Sequence, residues 1–243
     1  MRTTLLLFFS CFFGQLLTAQ VAKKVVVEHF TNTRCGICTF KNPQLFENLD
    51  NHPDVLHLST HPGSPYANCL LFQHNMVEND ARTNFYGVYG STPRLVIQGE
   101  VKSGGVNFSD SELLTPYEGQ MSPASIQIQQ SKTDDMLEAF ITVQTEAEHN
   151  LGDLNLYVVV AEDTLFYAAP NNEDEHYNVF RKNLSDENGF ALTLPQSITG
   201  EVTFSVSTEM HEDWVAERTF VMAILQDATT KEVIQAERVS ASM

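Results

Sequence analysis

Residues 25–38 read Val25-Val26-Val27-Glu28-His29-Phe30-Thr31-Asn32-Thr33-Arg34-Cys35-Gly36-Ile37-Cys38. The first six form a short, mostly apolar run that ends at the polar turn Thr31-Asn32-Thr33, the pattern of a buried strand. Beyond Cys38 the apolar residues Phe40, Leu45, Phe46 and Leu49 share a helical stripe, so the spacing predicts a helix over 38–49. A CxxC pair therefore stands between a buried strand and the first turn of a helix. Unpaired N–H groups and the macrodipole at a helix start favour an anion, which predicts Cys35 as the more acidic and more exposed thiol. Arg34 adds positive charge beside it, and Cys38 is placed to resolve a mixed disulfide made at Cys35. Such a pair has three readings: a redox dithiol, an inert structural disulfide, or half of a zinc site. Zinc would need two further ligands, and no second CxxC exists. The context favours the redox dithiol and leaves the structural bridge open.

Outward from this stretch the chain has two grammars. Residues 23–121 alternate short apolar runs with helical stretches, which predicts an α/β layer. Val55–Thr60 reads as a strand, Leu70–Asn84 as one helix, Leu95–Gln98 turning through Gly99 to Val101 as a hairpin, and Ser111–Gly119 as a short last helix. Residues 124–243 instead give seven short strand-like runs, from Ile126/Ile128 to Val233–Val239, with clear alternation at Ile126/Ile128 and Leu137–Thr145 and one long loop at about 168–189. That pattern predicts an all-β antiparallel, immunoglobulin-like sandwich. The length of 243 residues suits two domains of about 100–120 residues each. Fourteen Lys+Arg against 31 Asp+Glu give a net charge of −17, and no basic run interrupts it. Phosphates would repel such a chain, so nucleic acid is excluded as the main partner.

Residues 1–19 read as a secretory signal peptide: Arg2 in front, an apolar run over Leu5–Leu17, and Ala19 at the cleavage point. Lipid attachment at Cys11 is the rival reading, weakened because greasy Phe12-Phe13 stand where a polar mature start belongs. Export places Cys35, Cys38 and Cys69 in a compartment where disulfides persist.

Two prolines join the cysteines. Pro43 lies within the helical stretch after Cys38, and Ser91-Thr92-Pro93 precedes the apolar strand from Arg94. Together with CGIC they make residues 23–121 resemble a thioredoxin-like domain. That resemblance implies a cis Pro93 facing the cysteines, with Thr92 offering backbone groups to an extended substrate peptide. The whole chain resembles the twenty-eight-kilodalton outer-membrane protein family of Bacteroidetes, through EHFTNTRCGICTFKNP (28–43), HYNVFRKNL (176–184) and KEVIQAERV (231–239). A peripheral outer-membrane association is implied by this resemblance alone. His29 stands where thioredoxin-like proteins bury a proton-accepting acid, with Glu28 beside it. Strand alternation sends the two to opposite faces, so one of them can approach the dithiol. A histidine there could accept the Cys38 proton near neutral pH. Arg34 replaces the aromatic residue that usually precedes the first cysteine.

Other signals carry less. Cys69 lies in an apolar stretch and reads as a lone buried thiol. His57 and His61 fall on one strand face about 13 Å apart, too far to share a metal. Asn171–His176 reads as a solvated acidic loop, and Trp214 as either an exposed contact or a residue tucked onto the sandwich. The expectation is an exported cell-envelope thiol–disulfide oxidoreductase acting on protein or peptide thiols and disulfides, with an unidentified redox partner. Cys35 and Cys38 carry the electrons, His29 or Glu28 handles the proton, and Arg34, Thr92 and Pro93 shape the substrate groove. No cofactor or metal is expected beyond the Cys35–Cys38 disulfide. The alternative is a non-catalytic outer-membrane-associated or surface protein in which the bridge is structural and the β-sandwich binds the partner.

Overall fold

The computed structural model describes residues 20–133 and 135–239; the expected signal peptide and Cys11 lie outside them. The chain is mostly β, with mixed and antiparallel sheets and few helices. In the first half β1 (Val21–Ala22) is followed by β2 (Val26–Phe30), α1 (Cys38–Asp50), β3 (Leu56–Thr60), α2 (Leu70–His74), α3 (Met76–Tyr86), β4 (Arg94–Ile97) and β5 (Glu100–Val101). β2 pairs parallel with β3 and antiparallel with β4, which turns back into β5. Gln98 and Gly99 take φ of 52° and 86°, the paired left-handed conformation of a tight hairpin turn. β6 (Met121–Ser122) returns to pair with β1.

The expected single helix over 70–84 is broken at Asn75. Its side-chain oxygen accepts from the Glu78 backbone N–H at 3.4 Å, and its Nδ2 donates to the Glu78 carboxylate at 2.5 Å, an N-cap that starts a new helix. The expected helix at 111–119 shrinks to a 3-10 turn at Thr115–Tyr117, which carries Pro116 in its opening positions.

The second half contributes β7 (Ala124–Thr133), β8 (Met136–Thr145), β9 (Asp153–Phe166), β10 (Glu175–Asn183), β11 (Phe190–Thr193), β12 (Glu201–Glu209), β13 (Thr219–Asp227) and β14 (Val233–Arg238). β10 occupies much of the stretch expected to be a long loop. Its burial is irregular, so it shows neither helical nor strand periodicity. This strand pairs antiparallel with β9 and touches β3 in parallel register at Val179 and Ser59. One sheet thus runs through both halves in the order β14-β13-β9-β10-β3-β2-β4-β5, with β11 added at β9. A separate sheet, β12-β8-β7, covers it.

Alternation in β9 and β13 explains the packing. Leu156, Val158, Val160, Val221 and Ala223 face Leu137, Ile141 and Val143 of β8, closing one core. Tyr157, Val159, Phe220, Met222 and Ile224 point the other way, onto Val26, Leu56 and Leu58 of β2 and β3. A third core lies beneath α1, where Leu45 meets Val25, Val27, Leu95 and Ile97. The halves are also joined through Arg82 on α3. Its guanidinium donates to both carboxylate oxygens of Glu28 at 2.7 Å and to Gln226 at 2.9 Å, and it lies 3.9 Å from the centre of the Tyr157 ring.

Candidate functional site

α1 begins at Cys38, and Cys35 and Cys38 are joined as a disulfide with Cα atoms 5.2 Å apart. Ile37, the residue preceding the helix, has no side-chain cap. The Cys38 backbone N–H is shared between the Cys35 sulfur at 3.1 Å and the Cys35 carbonyl oxygen at 3.2 Å. It would stabilise a thiolate there once the bond is reduced. The Thr92–Pro93 peptide is cis, and the Thr92 carbonyl oxygen lies 3.5 Å from the Cys35 sulfur. Three of the expected residues, Cys35, Cys38 and Thr92, therefore meet at one point, with Pro93 buried behind them. Arg34 is exposed, and its Nε donates to the Asn68 carbonyl at 2.7 Å, which ties it to the neighbouring loop.

Cys35 is more exposed than Cys38, but only at 3% against 0%, so it is less open than the spacing suggested. Around it Ile37 and Phe40 stand 61% and 75% exposed, an uncovered apolar rim at the head of α1.

Glu28 and His29 point to opposite faces, as β-alternation requires. Glu28 faces α3, where Arg82 and the Tyr86 hydroxyl hold its carboxylate, so it is not brought to the dithiol. His29 faces the α1 side, its ring 6.1 Å from Phe46 and 5.6 Å from His57. Both of its nitrogens are buried without a hydrogen-bond partner. Burial lowers its pKa to about 3, against a smaller upward pull from Asn42. His29 is therefore neutral near pH 7 and a weaker base than an ordinary imidazole. His57 and His61 are likewise pushed low, first by burial and then by neighbouring positive or titratable groups.

Sequence reasoning missed the segment that touches the motif from the second half. Asn171, expected in a solvated loop, is buried against the CxxC turn. Its backbone N–H donates to Thr33 O at 3.2 Å, and its Nδ2 to Cys35 O at 3.3 Å and Asn32 O at 3.4 Å. Thr39 on α1 donates to the Asn171 carbonyl at 2.6 Å, and Asn42 donates to Glu173 at 2.7 Å. The one available signal was the asparagine pair 171–172, since Asn172 takes the left-handed turn conformation at φ 70°. Cys69 is a buried free thiol whose sulfur lies 3.1 Å from the Thr33 hydroxyl.

Fold and site together define a mostly β protein with a CxxC disulfide at the head of its first long helix. Among solved structures it is similar to HBP35 of Porphyromonas gingivalis, with a TM-score of 0.74 and 18% identity over 91% of this chain and 76% of that one. At that identity the likeness concerns the fold. A domain of the outer membrane lipoprotein Omp28 from Porphyromonas gingivalis matches 52% of this chain and 93% of its own at 14% identity, with a TM-score of 0.38. No protein-family model and no curated protein sequence matches the chain. Among the described residues no helix is long and apolar enough to cross a membrane.

Proposed function

We propose that this protein is an exported thiol–disulfide oxidoreductase of the cell envelope, acting at Cys35–Cys38 on extended polypeptides. In this reading residues 23–121 form a thioredoxin-like unit and residues 124–243 an immunoglobulin-like β-sandwich whose Asn171–Glu173 segment forms a strap against the CxxC turn. The observation that carries it is the meeting of the Cys35 sulfur, the Cys38 N–H and the Thr92 carbonyl beneath the exposed rim of Ile37 and Phe40. In the oxidising direction a substrate thiolate attacks the Cys35 sulfur, and Cys38 leaves with the electron pair of the broken S–S bond. A second substrate thiolate then attacks the substrate sulfur of the mixed disulfide, and Cys35 leaves, stabilised by the Cys38 N–H. The substrate dithiol is oxidised and the Cys35–Cys38 disulfide reduced; the reducing direction is the reverse. Glu28 is held by Arg82 and burial leaves His29 a weak base, so in this reading the protons pass to and from solvent. Envelope location rests on the apolar segment 5–17 and on the family resemblance, with membrane association peripheral.

A second reading keeps the bridge permanently oxidised as part of a binding scaffold. It is favoured by the clamp of Asn171 on the motif and by the low exposure of both cysteines. Equilibrating the Cys69→Ser protein against glutathione or dithiothreitol buffers separates the two. A reduction potential between about −120 and −270 mV, the span of dithiol catalysts, supports turnover and gives its direction. A value below about −300 mV marks a structural bond and overturns the enzyme reading.

A further inference from the structure

Away from the dithiol, α2 ends at His74, and the segment between β12 and β13 lays His211, Asp213 and Trp214 against it. One ligand atom from each of His74, His211 and Asp213 lies within 4.8 Å of the others. The two imidazoles stand nearly perpendicular, 80° apart with centres at 4.8 Å. We propose that these three side chains bind a divalent transition-metal ion, zinc or copper(II), in a site that joins the first half of the chain to the second. Two imidazoles and a carboxylate form a donor set suited to these borderline ions rather than to magnesium or calcium. Water or an outside ligand would complete the coordination.

Two further observations point the same way. The Trp214 Nε1–H donates to His74 Nε2 at 2.9 Å, so that nitrogen carries a lone pair, as metal coordination requires. A cation takes this lone pair in place of the tryptophan donor. The adjoining open cavity of about 740 Å³ is lined by Glu78, Glu209 and Glu212, which favour a cation. Of its two basic residues, Arg181 is bound to Glu162 at 2.7 Å and Lys182 lies 3.8 Å from Glu78. Ligand atoms around tetrahedral zinc stand about 3.3 Å apart, so the cluster must contract. The side chains of His211 and Asp213 are 49% and 71% exposed and have room to move.

Trp214 is the chain's single tryptophan, so its fluorescence reports on this site. The test titrates copper(II) chloride, and then zinc chloride in competition, into the Cys69→Ser protein with the Cys35–Cys38 disulfide intact, so that no thiol competes. Isothermal titration calorimetry runs in parallel. The expected result is saturable quenching at one equivalent per chain, reversed only by zinc in large excess. His211→Ala and Asp213→Asn should each weaken the dissociation constant at least about tenfold, while leaving metal-free emission and the melting temperature unchanged. Unchanged binding in both variants would place the ion elsewhere and overturn the proposal. So would the lack of saturation below about millimolar metal.

Discussion

Replacing Arg82 by methionine tests how the two halves are held together and why Glu28 stays away from the dithiol. Arg82 and Glu28 are 2% and 1% exposed, and the pair makes two hydrogen bonds of 2.7 Å. Burial opposes the charge on Arg82, but Glu28 and the Tyr86 and Tyr157 hydroxyls outweigh it and raise the arginine pKa above its ordinary value. Methionine roughly fills the stem's volume and keeps contact with Tyr157, yet it leaves the Glu28 carboxylate with Tyr86 as its remaining side-chain partner. Stranding one partner of a buried ion pair costs about 3–5 kcal/mol. For a chain of this length that lowers the melting temperature by about 6–20 °C. The assay is urea unfolding followed by Trp214 fluorescence, with the midpoint compared at constant slope. Glu28→Leu combined with Arg82→Met removes both charges and should recover more than half of the loss, because apolar replacement of a buried pair is often near neutral. A loss below about 1 kcal/mol in Arg82→Met, or a double variant no more stable than the single, would refute the reasoning.

Asn171→Ala removes the side-chain bonds that pin the strap to the CxxC turn. At about 1 kcal/mol per bond, alkylation of reduced Cys35 by iodoacetamide should speed up about 5–30-fold, and an unchanged rate would deny that the strap limits access. His29 has a folded pKa of about 3 against an ordinary value of 6.5, so between these values the unfolded chain binds more protons. Stability should therefore fall as pH drops below about 6.5, by about 1.4 kcal/mol per pH unit from this ring. Denaturant melts of His29→Leu should show a slope flattened by that amount, and an identical slope would count against a neutral buried His29. Gly99 has φ +86°, and a Cβ there would sit 1.9 Å from the Lys231 carbonyl. Gly99→Ala should cost more than about 1 kcal/mol in a thermal melt; a neutral result would mean that the two hairpin turns do not abut.

What could be read from the sequence was local. The run Val25–Phe30 and the stripe after Cys38 predicted β2 and α1, because burial on a strand or a helix face writes a short period into neighbouring residues. Period-2 alternation likewise predicted β8, and the continuous apolar run Phe220–Leu225 predicted β13. The CxxC between β2 and α1 followed, and with it the pairing of Cys35 with Cys38. Even the opposite facing of Glu28 and His29 needed only the strand period.

Everything that depends on who meets whom across the chain had to come from tertiary structure. β10 has no period of its own, because its environment is set by β9 on one side and β3 on the other. Asn75 ends one helix and starts another through its bond with Glu78. Glu28 is committed to Arg82, His29 is stripped of solvent beneath α1, and Asn171 is bent back onto the cysteines from the second half. His74 meets His211 and Asp213 only after both halves have folded. The sequence alone determined which residue types stand at each turn and which short segments bury a face. Tertiary structure decided charge state, access and ligation, because those depend on desolvation and on distances between side chains that no local pattern encodes.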